Sequence, residues 1–266
     1  MQTFVFQFNV RMMNDLVQIN PWLAWLGVLH LLLGVVLLLV MPFNSGEVLG
    51  INSLIKPVKF AFSIAVYAWT MALILPYIAT GKQILIYSIM AILVMGFEQT
   101  VITIQAFRGE LSHFNTSPVG SLLFGLMGMA IATLTIWTLV LAVRSFWVQF
   151  EPVDPMILRG IQVGIVVFAI AGFLGFYMGS QLAHTVGAPD GGPGLPFVNW
   201  STSFGDVRVA HFFGLHALQV FPLLALLFTR FTFSGKEWVF YGAMAVYTVY
   251  VLFVALQAFM AKPFIG

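Results

Sequence analysis

The chain has 266 residues, of which 61% are hydrophobic and only 8% charged. Soluble domains carry roughly 25% charged residues, so this composition specifies a polytopic membrane protein whose main surroundings are the lipid bilayer. The net charge of +2 with no basic run excludes a nucleic-acid ligand, and the lack of cysteine excludes disulfides, Fe–S ligation and thiol catalysis.

Residues 1–19 alternate Phe4, Phe6 and Phe8 before Arg11 and Asp15, which predicts an interfacial segment. Arg11 is its only basic residue, and the next apolar stretch is longer than a signal h-region of about 7–15 residues. A bilayer core of about 30 Å takes roughly 20 apolar residues per helix, and seven segments reach that length. The first covers about 21–42, with Asn20-Pro21 as N-cap and first helical position. Lys56-Pro57 opens the second, over about 57–80, and Gly81-Lys82 turns the chain into the third, over about 82–107. Ser117-Pro118 starts the fourth, over about 118–143, and Asp154-Pro155 the fifth, over about 155–181. Asp206 caps the sixth, over about 206–228, where Pro222 should kink the helix. Ser234-Gly-Lys-Glu237 reads as a capping box for the seventh, over about 235–260. Gly160, Gly164, Gly172, Gly175 and Gly179 line one side of the fifth span and predict a close helix–helix seam. The expected fold is therefore all-α, a single seven-helix transmembrane domain over 1–266, with the Gly/Pro-rich loop 182–205 as an extracytoplasmic lid.

Orientation rests on the kind of charge rather than its count. Arg11, Lys82, Arg144, Arg159, Arg230 and Lys236 belong to the N-terminal side, and Lys56, Lys59, Arg108, Arg208 and Lys262 to the other. Most of the first set are isolated anchoring charges, whereas most of the second stand within or beside dense polar motifs. The expectation is an N-terminus inside and a C-terminus outside, in a bacterial inner membrane, with the polar motifs facing the periplasm or exterior.

Those motifs hold the candidate site. In the third span Glu98 and Gln105 are seven residues apart and share a face within about 20°. Glu98 lies about 15 Å below Arg108, close to mid-membrane, where a carboxyl group is costly and usually functional. Arg108-Gly-Glu-Leu-Ser-His113-Phe-Asn115 forms the next segment, a short polar turn. In the sixth span Arg208, His211, His216 and Gln219 fall within an arc of about 140°. His211 and His216, five apart, are poorly spaced to share one ion. His30 is the polar side chain deep in the first span, and Lys56, Lys59, Ser63, Tyr67 and Thr70 form a helical stripe on the second.

The segments KPVKFAFS, QAFRGELSHFN, HTVGAPDGGPGLP and GDVRVAHFFGLHALQVFP resemble motifs of uncharacterised bacterial multipass membrane proteins. The resemblance covers most of residues 56–222 and implies no activity.

The residues support three readings. In the first, the chain is a membrane redox protein holding a b-type heme, or a metal ion, between His216 and His30, with His211 as substitute ligand. Arg108, Arg208, Lys56 and Lys59 would take the propionates, Gln105 and Gln219 would line the site, and Glu98 would carry protons or meet a quinone. In the second it is a proton-coupled transporter of a small anion, with the same cations, Glu98 as proton carrier and the loop as gate. In the third it is an enzyme acting on a lipid or lipid-linked anion, with His113 or His211 as general base oriented by Asp206. A purely structural role, in a homo-oligomer or larger membrane complex, accounts for the same residues by internal pairing.

Overall fold

A computed structural model of the chain describes residues 12–266, with side chains from Met13 onward. Phe4, Phe6, Phe8 and Arg11 of the expected interfacial segment lie outside the described residues. The first described element is a short helix, α1 (Met12–Ile19), packed on the first two long helices with Leu16 fully buried.

Seven long helices come next: α2 (Pro21–Val40), α3 (Ile55–Ile74), α4 (Gly81–Phe107), α5 (Pro118–Arg144), α6 (Pro155–Gln181), α7 (Val207–Phe228) and α8 (Lys236–Phe259). Each is long and apolar enough to cross a membrane. Their starts are chemically marked. The Asn20 side chain accepts from Leu23 N at 3.1 Å, Ser117 from Gly120 N at 3.1 Å, and Asp154 from Met156 N at 2.8 Å. Each meets one of the backbone donors that a helix N-terminus leaves over. Boundaries of three spans differ from expectation. The second span starts at Ile55, ahead of Lys56-Pro57 and without a side-chain cap, and its α-helix stops at Ile74, where Pro76 directs a 3-10 turn over Leu75–Tyr77 rather than a helix to about 80. Gly81-Lys82 lies inside α4, because Gln83 accepts from Thr80 N at 3.0 Å and moves the cap back to Thr80. The Ser234 capping box does not form: Gly235 takes the cap with φ 83°, and a serine acting as cap needs extended backbone at its own position.

The most extensive helix pair is α6 with α7. A Cβ on Gly160 would stand 2.8 Å from the backbone oxygen of Phe221, and one on Gly164 would stand 2.8 Å from that of Ala217. These two glycines let the backbones approach as no larger residue allows. Gly214 returns the contact from α7 against Ala171. The five glycines do not form a single seam, however. Gly172 and Gly179 face Thr135 and Phe124 of α5 instead, because they lie about 80° around the helix from the Gly160/Gly164 line. Pro222 sits inside α7, which runs on through it.

Buried hydroxyl and amide groups tie the other helices. Tyr67 on α3 bonds Tyr87 on α4, which reaches Thr138 on α5 at 2.9 Å. Asn20 donates to Ser88 at 2.9 Å. In a dry interior each such group must find a partner within the protein. The outward faces are apolar, with Leu29, Leu93, Val246 and Leu256 all exposed, as a lipid-facing surface requires.

At one end of the bundle the α2–α3, α4–α5 and α6–α7 connections meet. The first holds a two-stranded hairpin, β1 (Glu47–Val48) with β2 (Ile51–Asn52). The last is closed at its base by β3 (Thr185–Val186) pairing with β4 (Gly205–Asp206), and within it Gly194 bridges Ser201. This loop touches Leu49 of the hairpin through Gly191 and the end of α8 through Gly205 and Gly187.

Gly164→Ala should lower the unfolding free energy by about 1–3 kcal/mol through overpacking against the α7 backbone. Gly172→Ala, whose Cβ would meet Thr135 at an ordinary 3.6 Å, should be neutral or stabilising. Reversible denaturant unfolding in mixed micelles separates the two.

Candidate functional site

The α6–α7 loop is held by an acid–base network. Asp206, 1% exposed, accepts from Ser201 N at 2.9 Å, from Arg208 N at 3.0 Å and from Arg208 Nη2 at 2.6 Å. Arg208 also donates to the carbonyl oxygen of Asn199. Asp190 accepts from His184 N at 3.2 Å and Thr185 N at 2.9 Å, and the His184 ring lies 3.3 Å from Asp190 and 3.8 Å from Asp206. The two carboxylates thus fasten both ends of the loop. Asp206 orients neither His113 nor His211, so the expected pairing of a general base with this acid is not formed.

Burial pushes the Asp206 carboxyl up, but its hydrogen bonds and ion pair with Arg208 outweigh that and hold it below the usual aspartate value. His184 goes the other way from what its two acidic neighbours suggest. Burial, then the charge of Arg208, lowers it despite Asp206 and Asp190. His113 is lowered too, first by burial and then by Lys56. Its ring is enclosed by Phe60, Phe114 and Phe124 at centroid distances of 5.7, 6.3 and 5.5 Å.

Lys56 belongs to the cationic group at this end. Its charge acts on Lys59, Arg208, Glu98, His113 and His184, which arrive from α3, α7, α4 and two connections. The ammonium sits 5.9 Å over the Phe60 ring. Lys59 donates to the carbonyl of Val198 in the loop at 3.3 Å. Among the described residues neither lysine has a carboxylate within 4.0 Å. Arg108 stands apart from this group. It is exposed and pairs loosely with Glu110 at 3.6 Å, so the rim has three cations rather than four.

Beside the start of α3 lies a set of buried acceptors on α4. Glu98 is 5% exposed and has no hydrogen-bond partner among the described residues. Gln105 is buried with its Oε1 unpartnered, and Gln99 donates to Pro57 O at 3.2 Å while its own Oε1 stays unpartnered.

The span histidines do not converge in contact. His30 Nδ1 meets Leu26 O of its own helix at 2.9 Å. His211 Nδ1 meets Ala171 O on α6 at 2.8 Å, in the space that Gly175 leaves open. His216 Nδ1 meets Gln219 Oε1 at 3.3 Å, packs on Phe212 with centroids 4.4 Å apart, and Gln219 continues to Thr70 on α3 at 3.2 Å. The shared arc on α7 is split between two neighbours: His211 at one edge faces α6, and Gln219 near the middle reaches α3. Among the described residues no three His, Asp or Glu side chains gather as a metal site. The hold of Lys59 and Arg208 on loop carbonyls carries no side-chain signal in the sequence, since Val198 and Asn199 contribute only backbone oxygens.

No protein-family profile, curated protein or solved structure matches this chain.

Acidification should weaken the loop. Because the folded His184 titrates below its ordinary 6.5, at about 4, the unfolded chain binds its proton first and stability falls as pH drops through that window. Below the usual aspartate value, Asp206 adds a further loss. His184→Gln should flatten the fall in melting temperature between pH 6.5 and 4 while leaving the steeper loss at lower pH.

Proposed function

We propose that this chain is an integral membrane protein that binds a small anion at Lys56 and Lys59 and couples it to a proton on Glu98, as a proton-coupled anion transporter does. The carrying observation is the pair of lysines without carboxylate partners, set above a buried carboxyl group without a hydrogen bond. A charge removed from water is normally paired, so two free cations under a loop favour an anionic ligand. Arg208 is already neutralised by Asp206 and serves the loop rather than the ligand. The α6–α7 loop covers the site and acts as its gate, since an anion on Lys59 would compete with the neutral Val198 carbonyl for the same ammonium. In this reading the N-terminus is inside and the site faces the exterior of a bacterial inner membrane.

Lys56→Gln and Lys59→Gln should each weaken anion-induced thermal stabilisation by roughly tenfold or more in affinity. Glu98→Gln should keep binding but abolish uptake driven by a pH gradient in proteoliposomes. Uptake that persists in Glu98→Gln would sink the proton-coupled reading.

The histidines favour a second reading. Carbonyl oxygens only accept, so the Nδ1 atoms of His211, on Ala171 O, and of His216, on the Gln219 amide oxygen, carry the proton and leave each Nε2 with its lone pair, whereas His30 lies against two carbonyls, Leu26 O and Met95 O. A neutral imidazole fixed this way is the form that ligates heme iron. His30 and His216 would then hold a b-type heme, with propionates on Lys56 and Lys59 and a quinone near Glu98. Protein made with ample heme should show a Soret band that shifts with dithionite and disappears in His30→Ala; colourless protein removes this reading.

A further inference from the structure

We propose that the anion held by Lys56 and Lys59 carries its own hydrogen-bond donor, as a protonated phosphoryl group does. This rests on the anion-site reading above and narrows it to a ligand class. Roughly nine-tenths or more of buried polar groups in folded proteins find a partner. Here Gln105, 3% exposed, leaves its Oε1 unmet, and Gln99, 3% exposed, does the same. Glu98, 5% exposed, adds carboxyl oxygens with no donor. All three groups can accept, and all lie within about two turns of one helix.

Their direction is set by packing. Glu98 and Gln105 share a face of α4, and Val101 and Ile102, between them on that face, pack against Phe60. The Phe60 ring in turn lies beneath the Lys56 ammonium. Glu98 and Gln105 therefore stand on the face of α4 turned to Phe60 and the Lys56 end of α3, while the lysines supply the positive charge. An anion that presents only lone pairs would set them against the ionised Glu98 carboxyl and, with the amide oriented as described, against Gln105 Oε1. One that bears P–OH can give that proton in a hydrogen bond to either group and keep its charged oxygens on the lysines. Sulfate has no proton near neutral pH; inorganic phosphate and a phosphomonoester lipid headgroup both do.

The test uses the full chain purified in nanodiscs of zwitterionic lipid at about pH 7. Inorganic phosphate and sulfate are titrated and affinity is read from thermal shift and calorimetry. Phosphate should bind at least about tenfold tighter than sulfate, the scale of one unmet buried acceptor. Gln105→Leu removes one acceptor at similar volume, so it should fold with an unchanged or higher melting temperature and a reduced phosphate preference, which should drop to within about threefold when Glu98→Gln is added. Nanodiscs doped with phosphatidic acid separate the two sources: a headgroup ligand suppresses the phosphate titration, and a free-anion site leaves it intact. Equal affinity for phosphate and sulfate overturns the donor requirement and keeps the anion site. Binding of neither anion, with or without phosphatidic acid, overturns the anion site itself. A preference that survives both Gln105→Leu and Glu98→Gln overturns the assignment of these acceptors.

Discussion

The close approach of α6 and α7 is the contact on which the polar end depends. Gly160 and Gly164 set the α7 backbone against α6 at a separation that a single methyl group would disturb. With that register fixed, the Gly175 position becomes the slot for the His211 ring, and the start of α7 arrives where Asp206 can reach Ser201 and Arg208. The same register sends Gln219 toward Thr70 on α3 and so joins the two halves of the bundle. Small residues are effective here because lipid tails give helices no apolar reason to associate; close backbone packing supplies it instead.

The polar residues divide into those the fold consumes and those it leaves free. Asp206, Arg208, His184 and Asp190 satisfy one another and the loop backbone. With His184 neutral, two carboxylates face one guanidinium, and the backbone N–H groups of His184, Thr185, Ser201 and Arg208 supply the remaining donors that let the cluster survive partial burial. Lys56 and Lys59 have no such balance, and the acceptors of α4 lack donors. Lysines without a carboxylate in contact, beside acceptors without donors, are a poor arrangement for stability alone, because a buried polar group without its complement is costly. Sites of function are where folded proteins tolerate such a penalty.

Helix starts are legible in the sequence. Asn20, Ser117, Asp154 and Asp206 announce them by side-chain chemistry, and each makes the expected cap bond. That Glu98 and Gln105 share a face of α4 is legible too, by counting residues along a helix. Other features are not. Ser234 and Gly235 offer two caps, and the backbone angle that selects Gly235 is set by how the chain turns. The ladder of Tyr67, Tyr87 and Thr138 joins three helices whose mutual rotation no single-helix pattern contains.

By itself the sequence determined the number of long apolar helices, most of their starts and the end of the bundle that gathers the polar groups, because these depend on length, hydrophobicity and local caps. Only the tertiary structure decided which polar groups are already paired. Arg208 and Arg108 look alike along the chain, yet one is locked on a buried carboxylate and the other is exposed beside Glu110. Pairing depends on atoms brought within about 3 Å from distant segments, and helical periodicity fixes a residue's direction on its own helix but not what another helix places opposite it.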